Sequence, residues 1–305
     1  MKGLVLKSTG SWYNVQTPTG DVVLCKIKGS LRLAGSKGTN PVAIGDWVDI
    51  DQTGSTGQIV SICERKNYII RKSSNLSRQY HILAANIDQA MLLVTLSMPQ
   101  TPPEFTDRFL ATAEAYSIHT HLVFNKTDLY DGDIARELDY WIKVYSEIGY
   151  PCHTLSVLRQ EGLDNIKQLL QGKVTFISGN SGVGKTSLIN LIEPGLNLKV
   201  AGISDYHLKG KHTTTFYEMF NLSMGGYIID SPGIKGFGMV DMKKEEIFHF
   251  YREIFKTAVG CQFNNCLHLN EPGCAVKKEV KDGRIAPSRY RSYLSMLLEN
   301  EGKYR

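Results

Sequence analysis

Residues 179–186 carry the first pattern in this chain with an evident chemical use. They read Gly-Asn-Ser-Gly-Val-Gly-Lys-Thr, which matches the phosphate-binding loop G-x-x-x-x-G-K-[ST]. Glycines let the backbone curl so that successive N–H groups face phosphate oxygens, and a following helix N-terminus adds positive potential. The sequence predicts a buried strand at 174–178 and a helix from Lys185, the context that this chemistry needs. The competing interpretation is a glycine-rich turn before an ordinary helix.

The residues of this loop have separate predicted tasks. Lys185 should reach the β- and γ-phosphates of a nucleotide, and the Thr186 hydroxyl should bind Mg²⁺. The predicted phosphate contacts comprise Gly179, Asn180, Ser181, Gly182, Val183, Gly184, Lys185, Thr186 and Ser187.

A second polar group, at 125–128, follows a predicted buried strand at 121–124, and in open α/β sheets ligands bind at the carboxyl ends of strands. The Asp128 carboxylate can accept both adjacent N–H donors of guanine, whereas adenine would leave it unpaired, so such a site discriminates by roughly 10⁴. Alone, the pattern is equally typical of a turn after a strand. It indicates a guanine site because the same chain also has a phosphate loop. The predicted guanine contacts are Asn125, Lys126, Thr127 and Asp128, with the backbone N–H of Ser156 on the guanine carbonyl oxygen.

Two further segments predict groups around the γ-phosphate. In Asp230-Ser-Pro-Gly233, Asp230 should hold Mg²⁺ through water and the Gly233 N–H should meet the γ-phosphate. Thr214 is the predicted threonine that closes on Mg²⁺. Ile234 stands where many GTPases have a water-orienting glutamine, so we expect slow intrinsic hydrolysis accelerated by a partner. His212 is the candidate to position the water, and the alternative is a structural histidine.

A metal-binding pattern lies near the end of the chain, in the spacing Cys-x₄-Cys-x-His-x₅-Cys. Three thiolates and an imidazole make a closed tetrahedral Zn²⁺ site, which is structural rather than catalytic. A disulfide or idle thiols are the alternatives, and we expect reduced cysteines because the chain should be cytosolic. The predicted zinc ligands are Cys261, Cys266, His268 and Cys274.

The elements that must position these residues fall into three predicted domains. The chain has 305 residues, a 42% hydrophobic fraction and a formal net charge of +5, which fits a globular protein for which nucleic acid is a plausible partner. The first hydrophobic run is too short for a signal peptide, and no stretch predicts a membrane span, so we expect a cytoplasmic protein. The predicted domains are 1–72, 73–240 and 241–305.

Residues 1–72 predict five short strands separated by turns, which indicates a small oligonucleotide-binding (OB) type barrel. Basic and aromatic residues in this part could bind RNA, although a solvated face and core aromatics are the simpler reading of any one of them. They are Lys26, Lys28, Arg32, Lys37, Arg65, Lys66, Arg71, Lys72, Trp12, Tyr13 and Trp47. A second basic set follows the cysteines and could also bind RNA, and the alternative is a solvated helix docked by Tyr290, Leu294 and Leu297. Its members are Lys277, Lys278, Lys281, Arg284, Arg289 and Arg291, with Tyr290 and Tyr293 among them.

The order of the motifs is unusual, because the guanine group at 125–128 precedes the phosphate loop instead of following it. The central domain therefore resembles a circularly permuted P-loop GTPase with a mostly parallel α/β sheet. Together with the barrel, Gly210-Lys-His-Thr-Thr-Thr215, Asp230-Ser-Pro-Gly-Ile234 and the cysteine pattern, the whole chain resembles the bacterial ribosome small-subunit-dependent GTPase A family.

This resemblance implies a fold and a biological role. The fold is an N-terminal all-β OB-type barrel, a permuted α/β GTPase domain and a C-terminal helical zinc-binding domain. The role is late maturation of the 30S subunit, with 16S rRNA binding and GTP hydrolysis stimulated by that subunit. We expect a monomer that uses one structural Zn²⁺ and Mg²⁺ with GTP.

Two other functions fit the same residues. One is an RNA-binding module that uses nucleotide only as a switch, without significant turnover. The other is a permuted GTPase of large-subunit assembly. Single-turnover and subunit-stimulated hydrolysis assays separate the first from an enzyme, and comparing 30S with 50S particles decides the second.

Overall fold

The computed structural model describes residues 1–29, 31, 41–72, 80–199, 218–230 and 243–299. The N-terminal part forms the predicted five-stranded barrel, in which β1 pairs with both β2 and β4, and β3 pairs in parallel with β5. Valine, isoleucine and Tyr13 fill its interior because alternate residues of each strand point inward. The barrel strands are β1 (Lys2–Ser8), β2 (Tyr13–Gln16), β3 (Val22–Ile27), β4 (Trp47–Thr53) and β5 (Thr56–Ile62).

A hairpin that the sequence did not predict follows the barrel. Its strands are β6 (Tyr68–Lys72) and β7 (Tyr80–Ala85), which pair antiparallel across the predicted domain boundary at 72. The Ala85 N–H donates to the Ile44 carbonyl oxygen at 2.8 Å, so the hairpin is also attached to the barrel.

The central sheet has the spatial order β10-β9-β8-β11-β13-β12, with all neighbours parallel except β12. The central strands β8 and β11 are almost wholly buried because helices cover both faces, which explains their continuous apolar runs. The strands are β8 (Gln89–Val94), β9 (His119–Phe124), β10 (Cys152–Thr154), β11 (Val174–Gly179), β12 (Glu218–Asn221) and β13 (Tyr227–Asp230).

Four helices pack on this sheet, two on each face. The first two contribute to one core with Trp141 and Tyr145, and the other two contribute to the core that holds Ile166 and Leu188. The helices are α1 (Pro103–Ala115), α2 (Gly132–Ile148), α3 (Leu163–Leu170) and α4 (Lys185–Ile192). Short 3₁₀ turns lie at Thr127–Leu129 and Pro194–Leu196.

The C-terminal part is helical, as predicted, and it begins with two short helical segments. A 3₁₀ segment, Lys244–Phe250, comes first and ends at Tyr251, whose extended backbone separates it from the next helix. The helices are α5 (Arg252–Ala258), α6 (Ala275–Lys281) and α7 (Pro287–Glu299). Within the described residues, every helix is too short or too polar to cross a membrane.

Direct contacts join these parts into a continuous structure. Strand β1 pairs with β12 at Lys7 and Glu218, whose side chains form an ion pair at 2.9 Å, so the barrel continues the central sheet. On the other side, α7 packs on α1 through Arg289, which is fully buried and ion-paired to Asp107 at 2.9 Å and to Glu253 at 2.7 Å.

Candidate functional site

The phosphate loop joins the carboxyl end of β11 to α4, as the sequence predicted. Gly179, Gly182 and Gly184 have φ values of 153°, 81° and 98°, a region that suits glycine. The Lys185 ammonium donates to the Gly179 carbonyl oxygen at 2.7 Å, so its side chain curls back over the loop. Burial lowers the pKa of Lys185 and nearby Asp230 opposes the shift. A half-buried cation over a loop of N–H groups is an anion site.

The guanine loop lies at the end of β9, two strands from the phosphate loop, and Asn125 joins the two. Its side-chain amide donates to the Val183 carbonyl oxygen at 2.8 Å, and its Oδ1 accepts from the Val157 N–H at 3.3 Å. Asn125 is buried, so these hydrogen bonds are sheltered from water. The two motifs, far apart in sequence, therefore meet at one edge of the sheet.

Thr127 and Asp128 are held by the strand beyond. The Thr127 hydroxyl donates to the Leu155 carbonyl oxygen at 3.1 Å. The Asp128 carboxylate accepts from the Ser156 hydroxyl at 2.5 Å. The sequence predicted a different role for Ser156, in which its backbone N–H meets the guanine carbonyl oxygen. In the structure that N–H donates to the Glu161 carbonyl oxygen at 3.0 Å, so the hydroxyl is the group that connects Ser156 to the guanine loop.

Asp230 lies at the carboxyl end of β13, the strand next to β11. Burial raises the pKa of its carboxyl and Lys185 opposes the shift. Its Oδ1 is buried and has no hydrogen-bond partner among the described residues. An unpaired buried carboxylate oxygen beside a phosphate loop fits a hard cation such as Mg²⁺, which prefers oxygen ligands. Thr186 and Ser187 occupy the first turn of α4, directly after the phosphate loop.

Three of the predicted site residues lie outside the described residues: His212, Thr214 and Gly233. Their predicted roles in water positioning, Mg²⁺ binding and γ-phosphate contact remain predictions.

The four predicted zinc ligands come together, with all ligand atoms within 4.8 Å of one another. The Cys261 and Cys274 sulfurs are 3.9 Å apart, and His268 Nδ1 is 3.6 and 3.5 Å from them. A tetrahedral ion with ligands at about 2.0–2.3 Å gives ligand–ligand edges of roughly 3.5–3.8 Å, which these distances match. The cluster can therefore hold a metal ion.

The chemistry of the cluster supports the same reading. Burial raises the pKa of the Cys266 thiol to about 12, so a thiolate here needs a cation close by. Glu271 orders the loop between the ligands by accepting from the Leu267 and Leu269 N–H groups, each at 2.8 Å. Burial alone would raise the pKa of Glu271, but hydrogen bonds from backbone N–H groups outweigh burial, so the pKa of Glu271 is lowered.

Several residues that the sequence predicts as candidates for RNA binding make structural contacts instead. Arg289 and Tyr293 are fully buried, the Tyr290 hydroxyl donates to the His268 carbonyl oxygen at 2.5 Å, and Tyr13 lies inside the barrel. Ion pairs hold Arg65 to Asp46, Lys66 to Asp88, and Arg284 to Glu279 and Asp282. Arg32, Lys37 and the side chains of Arg71 and Lys72 lie outside the described part.

The exposed basic residues that remain belong to two surfaces. On the barrel, the Lys26 ammonium lies 4.2 Å from the centre of the Trp12 ring, and Trp47 is 43% exposed. Beside the metal cluster, α6 and the first turns of α7 expose Lys277, Lys278, Lys281 and Arg291. The barrel surface combines a cation with nearby aromatic rings, the features that favour single-stranded RNA, whereas the surface beside the Cys/His cluster offers cations that could contact phosphates.

The fold and the site together define a class. A phosphate loop and a guanine loop at one edge of a mostly parallel sheet, with the guanine loop earlier in the chain, make a circularly permuted GTP-binding protein. A barrel precedes it, and a cluster of three cysteines and a histidine that can hold a metal ion follows it. The family model described as RsgA GTPase matches residues 62–240, and the RsgA N-terminal domain model matches residues 2–59.

Related proteins agree over the full length. The chain is 58% identical to the small ribosomal subunit biogenesis GTPase RsgA of Bacteroides fragilis strain YCH46, covering 100% of this chain and 99% of the relative. It is 51% identical to the protein of that name from Flavobacterium johnsoniae, covering 100% and 95%. The crystal structure of YjeQ from Thermotoga maritima matches with a TM-score of 0.80 and 35% identity over 99% of both chains. YloQ, described as a circularly permuted GTPase, matches at 0.76 and 28%, covering 99% and 96%. The chain belongs to the RsgA GTPase family.

Proposed function

We propose that this protein is a GTP phosphohydrolase that acts in biogenesis of the small ribosomal subunit. The observation that carries the proposal is the hydrogen bond from Asn125 to Val183, because it unites a guanine loop and a phosphate loop in one site. The names of full-length relatives at 51–58% identity support the ribosomal role. The proposed setting is cytoplasmic, with a monomer that binds 16S rRNA on the 30S particle.

Within the site, each end of GTP has its own groups. Asp128, oriented by Ser156, accepts the guanine N–H donors, while Asn125 and Lys126 support the base. Loop N–H groups and the Lys185 ammonium take the phosphates. Thr186 and Asp230 would hold Mg²⁺, which would neutralise charge on the β- and γ-phosphates.

Hydrolysis depends on segments outside the described residues. His212 is proposed to orient the attacking water, because Ile234 cannot do so, and Thr214 and Gly233 are proposed to close on the γ-phosphate. We expect slow turnover alone and faster turnover on the 30S particle. His212→Ala should abolish the stimulation and leave GDP affinity unchanged, and stimulated turnover equal to that of the wild type would exclude this role.

The metal cluster is proposed to hold one structural Zn²⁺, because three thiolates and an imidazole leave no open ligand position.

The three-domain division is also a proposal. The β6–β7 pairing and the family-model limits of 59 and 62 favour a first boundary near residue 60 over residue 72.

The proposed nucleotide specificity is tested by titration calorimetry. Wild-type protein should bind GDP and GTP far more tightly than ADP and ATP. Asp128→Asn should lose guanine nucleotides and gain xanthine nucleotides, which carry a carbonyl where guanine has its amino group. Equal affinity of the wild type for GTP and ATP would overturn the proposal.

The ribosomal role is tested by hydrolysis in the presence of purified particles. Addition of 30S particles should raise turnover, and 50S particles should not. Stimulation by 50S alone would indicate large-subunit assembly, and absence of turnover with either would indicate a binding module. Binding to 30S should be tighter with a non-hydrolysable GTP analogue than with GDP, because the Asp230–Gly233 segment leads into the metal-binding part.

A further inference from the structure

The loop between β8 and α1, residues 95–101, carries no recognised motif, yet it lies between the two halves of the nucleotide site. It is closed on itself, because the Thr95 N–H donates to the Thr101 hydroxyl at 3.1 Å and the Thr101 N–H returns to the Thr95 carbonyl oxygen at 2.7 Å. Both threonines are buried, so the bonds are sheltered from water and the loop has a defined shape.

This 95–101 loop touches both subsites. A Cβ added at Gly182 of the phosphate loop would lie 3.3 Å from Pro99 Cδ. On its other side, the Lys126 ammonium of the guanine loop donates to the Met98 carbonyl oxygen. The 95–101 loop therefore lies against both the phosphate loop and the guanine loop.

One hydroxyl group connects the 95–101 loop to the guanine loop. The Tyr130 hydroxyl donates to the Asn125 carbonyl oxygen at 2.6 Å and accepts from the Leu96 N–H at 2.8 Å. Burial raises the pKa of Tyr130, so the hydroxyl keeps the proton that it donates. Asn125 is the same residue whose side chain bonds to Val183, so Tyr130 holds the backbone of the residue that joins the two subsites.

We propose that Tyr130 is a positioning residue for nucleotide binding, and that it acts by fixing the distance between the guanine and phosphate subsites through the 95–101 loop. The inference rests on the proposed function, since it concerns the same guanine site. Tyr130 does not have to touch the nucleotide. It sets where Asn125 begins the guanine loop, and Asp128 follows three residues later.

A purely structural role would have a different signature. Loss of one part-buried hydroxyl would then lower stability without changing which base the site prefers. A positioning role predicts that Asp128 loses part of its contact with the guanine amino group, so that guanine and hypoxanthine nucleotides become less distinct.

The test is Tyr130→Phe in the full chain with its metal bound, with GDP and inosine diphosphate as probes. The GDP dissociation constant should rise about threefold to tenfold, as expected for one lost hydrogen bond between neutral groups. The ratio of inosine diphosphate to GDP dissociation constants should fall by a similar factor. In hydrolysis, KM should rise while kcat stays within twofold, because the catalytic groups lie elsewhere.

Tyr227→Phe is the matched control, because the Tyr227 hydroxyl donates to Gln16 at 2.8 Å and lies at the opposite end of the sheet strands. It should match Tyr130→Phe in lost stability and leave both dissociation constants unchanged. If wild type binds GDP and Tyr130→Phe keeps its affinity and base ratio within twofold, the inference is wrong and the proposed function stands. If the wild type binds no GDP, both the inference and the proposed function are wrong.

Discussion

The nucleotide site and the metal cluster are assembled in opposite ways. The nucleotide site combines residues 125–128, 156, 179–186 and 230, which follow four of the five parallel strands of the central sheet. The metal cluster takes all four ligands from residues 261–274, on one short loop. The first therefore depends on the whole sheet, whereas the second depends on local chain geometry. Damage to one should leave the other largely intact.

The exception is the place where the two regions meet. Arg289 of α7 is buried between Asp107 of α1 and Glu253 of α5, and Asp107 also accepts from the Tyr145 hydroxyl at 2.9 Å. Two carboxylates around one buried guanidinium form a network in which each charge needs the others. This network is one of several contacts between the two regions, which include the ion pair of Arg252 with Glu114 at 2.7 Å.

The largest effect should follow Cys266→Ser, which removes a buried metal ligand. Bound structural zinc contributes on the order of 10 kcal/mol to the folding of such sites, so residues 243–299 should lose order. Metal content by atomic emission should fall from one equivalent to near zero, and hydrogen exchange in α6 should accelerate. GDP affinity should change less than threefold. Cys63→Ser is the control, and a GDP affinity that fell with the metal would contradict independent assembly.

Arg289→Ala should be next, with a loss of about 3–5 kcal/mol, because it leaves Asp107 and Glu253 buried without their cation. Urea unfolding measures it. The neighbouring Arg291 is exposed, so Arg291→Ala should shift stability by less than about 0.5 kcal/mol. A loss below about 1 kcal/mol at Arg289 would show that the regions are not energetically joined there.

Gly184→Ala should damage the nucleotide site alone. A Cβ at this position would lie 2.5 Å from Asn125 Nδ2, and the backbone φ of 98° is strained for alanine. GDP affinity should fall at least about tenfold, an effect of roughly 1.4 kcal/mol, with metal content unchanged. Gly195→Ala is the matched control, because its added Cβ would meet only Glu193 Oε1 at 3.9 Å. Equal affinity in both variants would refute the close contact.

The last prediction concerns an effect of pH on the sheet that carries the nucleotide site. His121 is buried with its Nδ1 at 3.0 Å from His153 Nε2, and burial, followed by His119 and His153, lowers the pKa of His121 to about 4. Unfolding restores an ordinary value near 6.5, so the stability from neutral His121 is complete above about pH 6.5 and declines toward pH 4.

Urea unfolding at pH 7 and pH 5 should therefore differ by roughly 1–2 kcal/mol more in wild type than in His121→Phe. His249 is exposed, so His249→Gln should keep the wild-type dependence. An unchanged pH dependence in His121→Phe would show that this histidine pair does not contribute.

The sequence predicted the five barrel strands, the strands that lead into the two nucleotide loops, the helix from Lys185 and the meeting of those loops. It missed the β6–β7 hairpin and the pairing of β1 with β12, because alternation of residue type indicates a strand without indicating its partner. It also placed Arg289 among surface cations, because only the carboxylates of α1 and α5 make its burial stable.

By itself, the sequence determined the chemistry of this protein, since glycine spacing, the guanine motif and the cysteine–histidine spacing are local properties of the chain. The tertiary structure alone decided which of those groups are free to act. It turned the Ser156 hydroxyl toward Asp128, placed the Tyr130 hydroxyl between Asn125 and Leu96, and removed Arg289 from the surface. The physical reason is that hydrogen bonds and burial are set by residues distant in the chain, which no local pattern records.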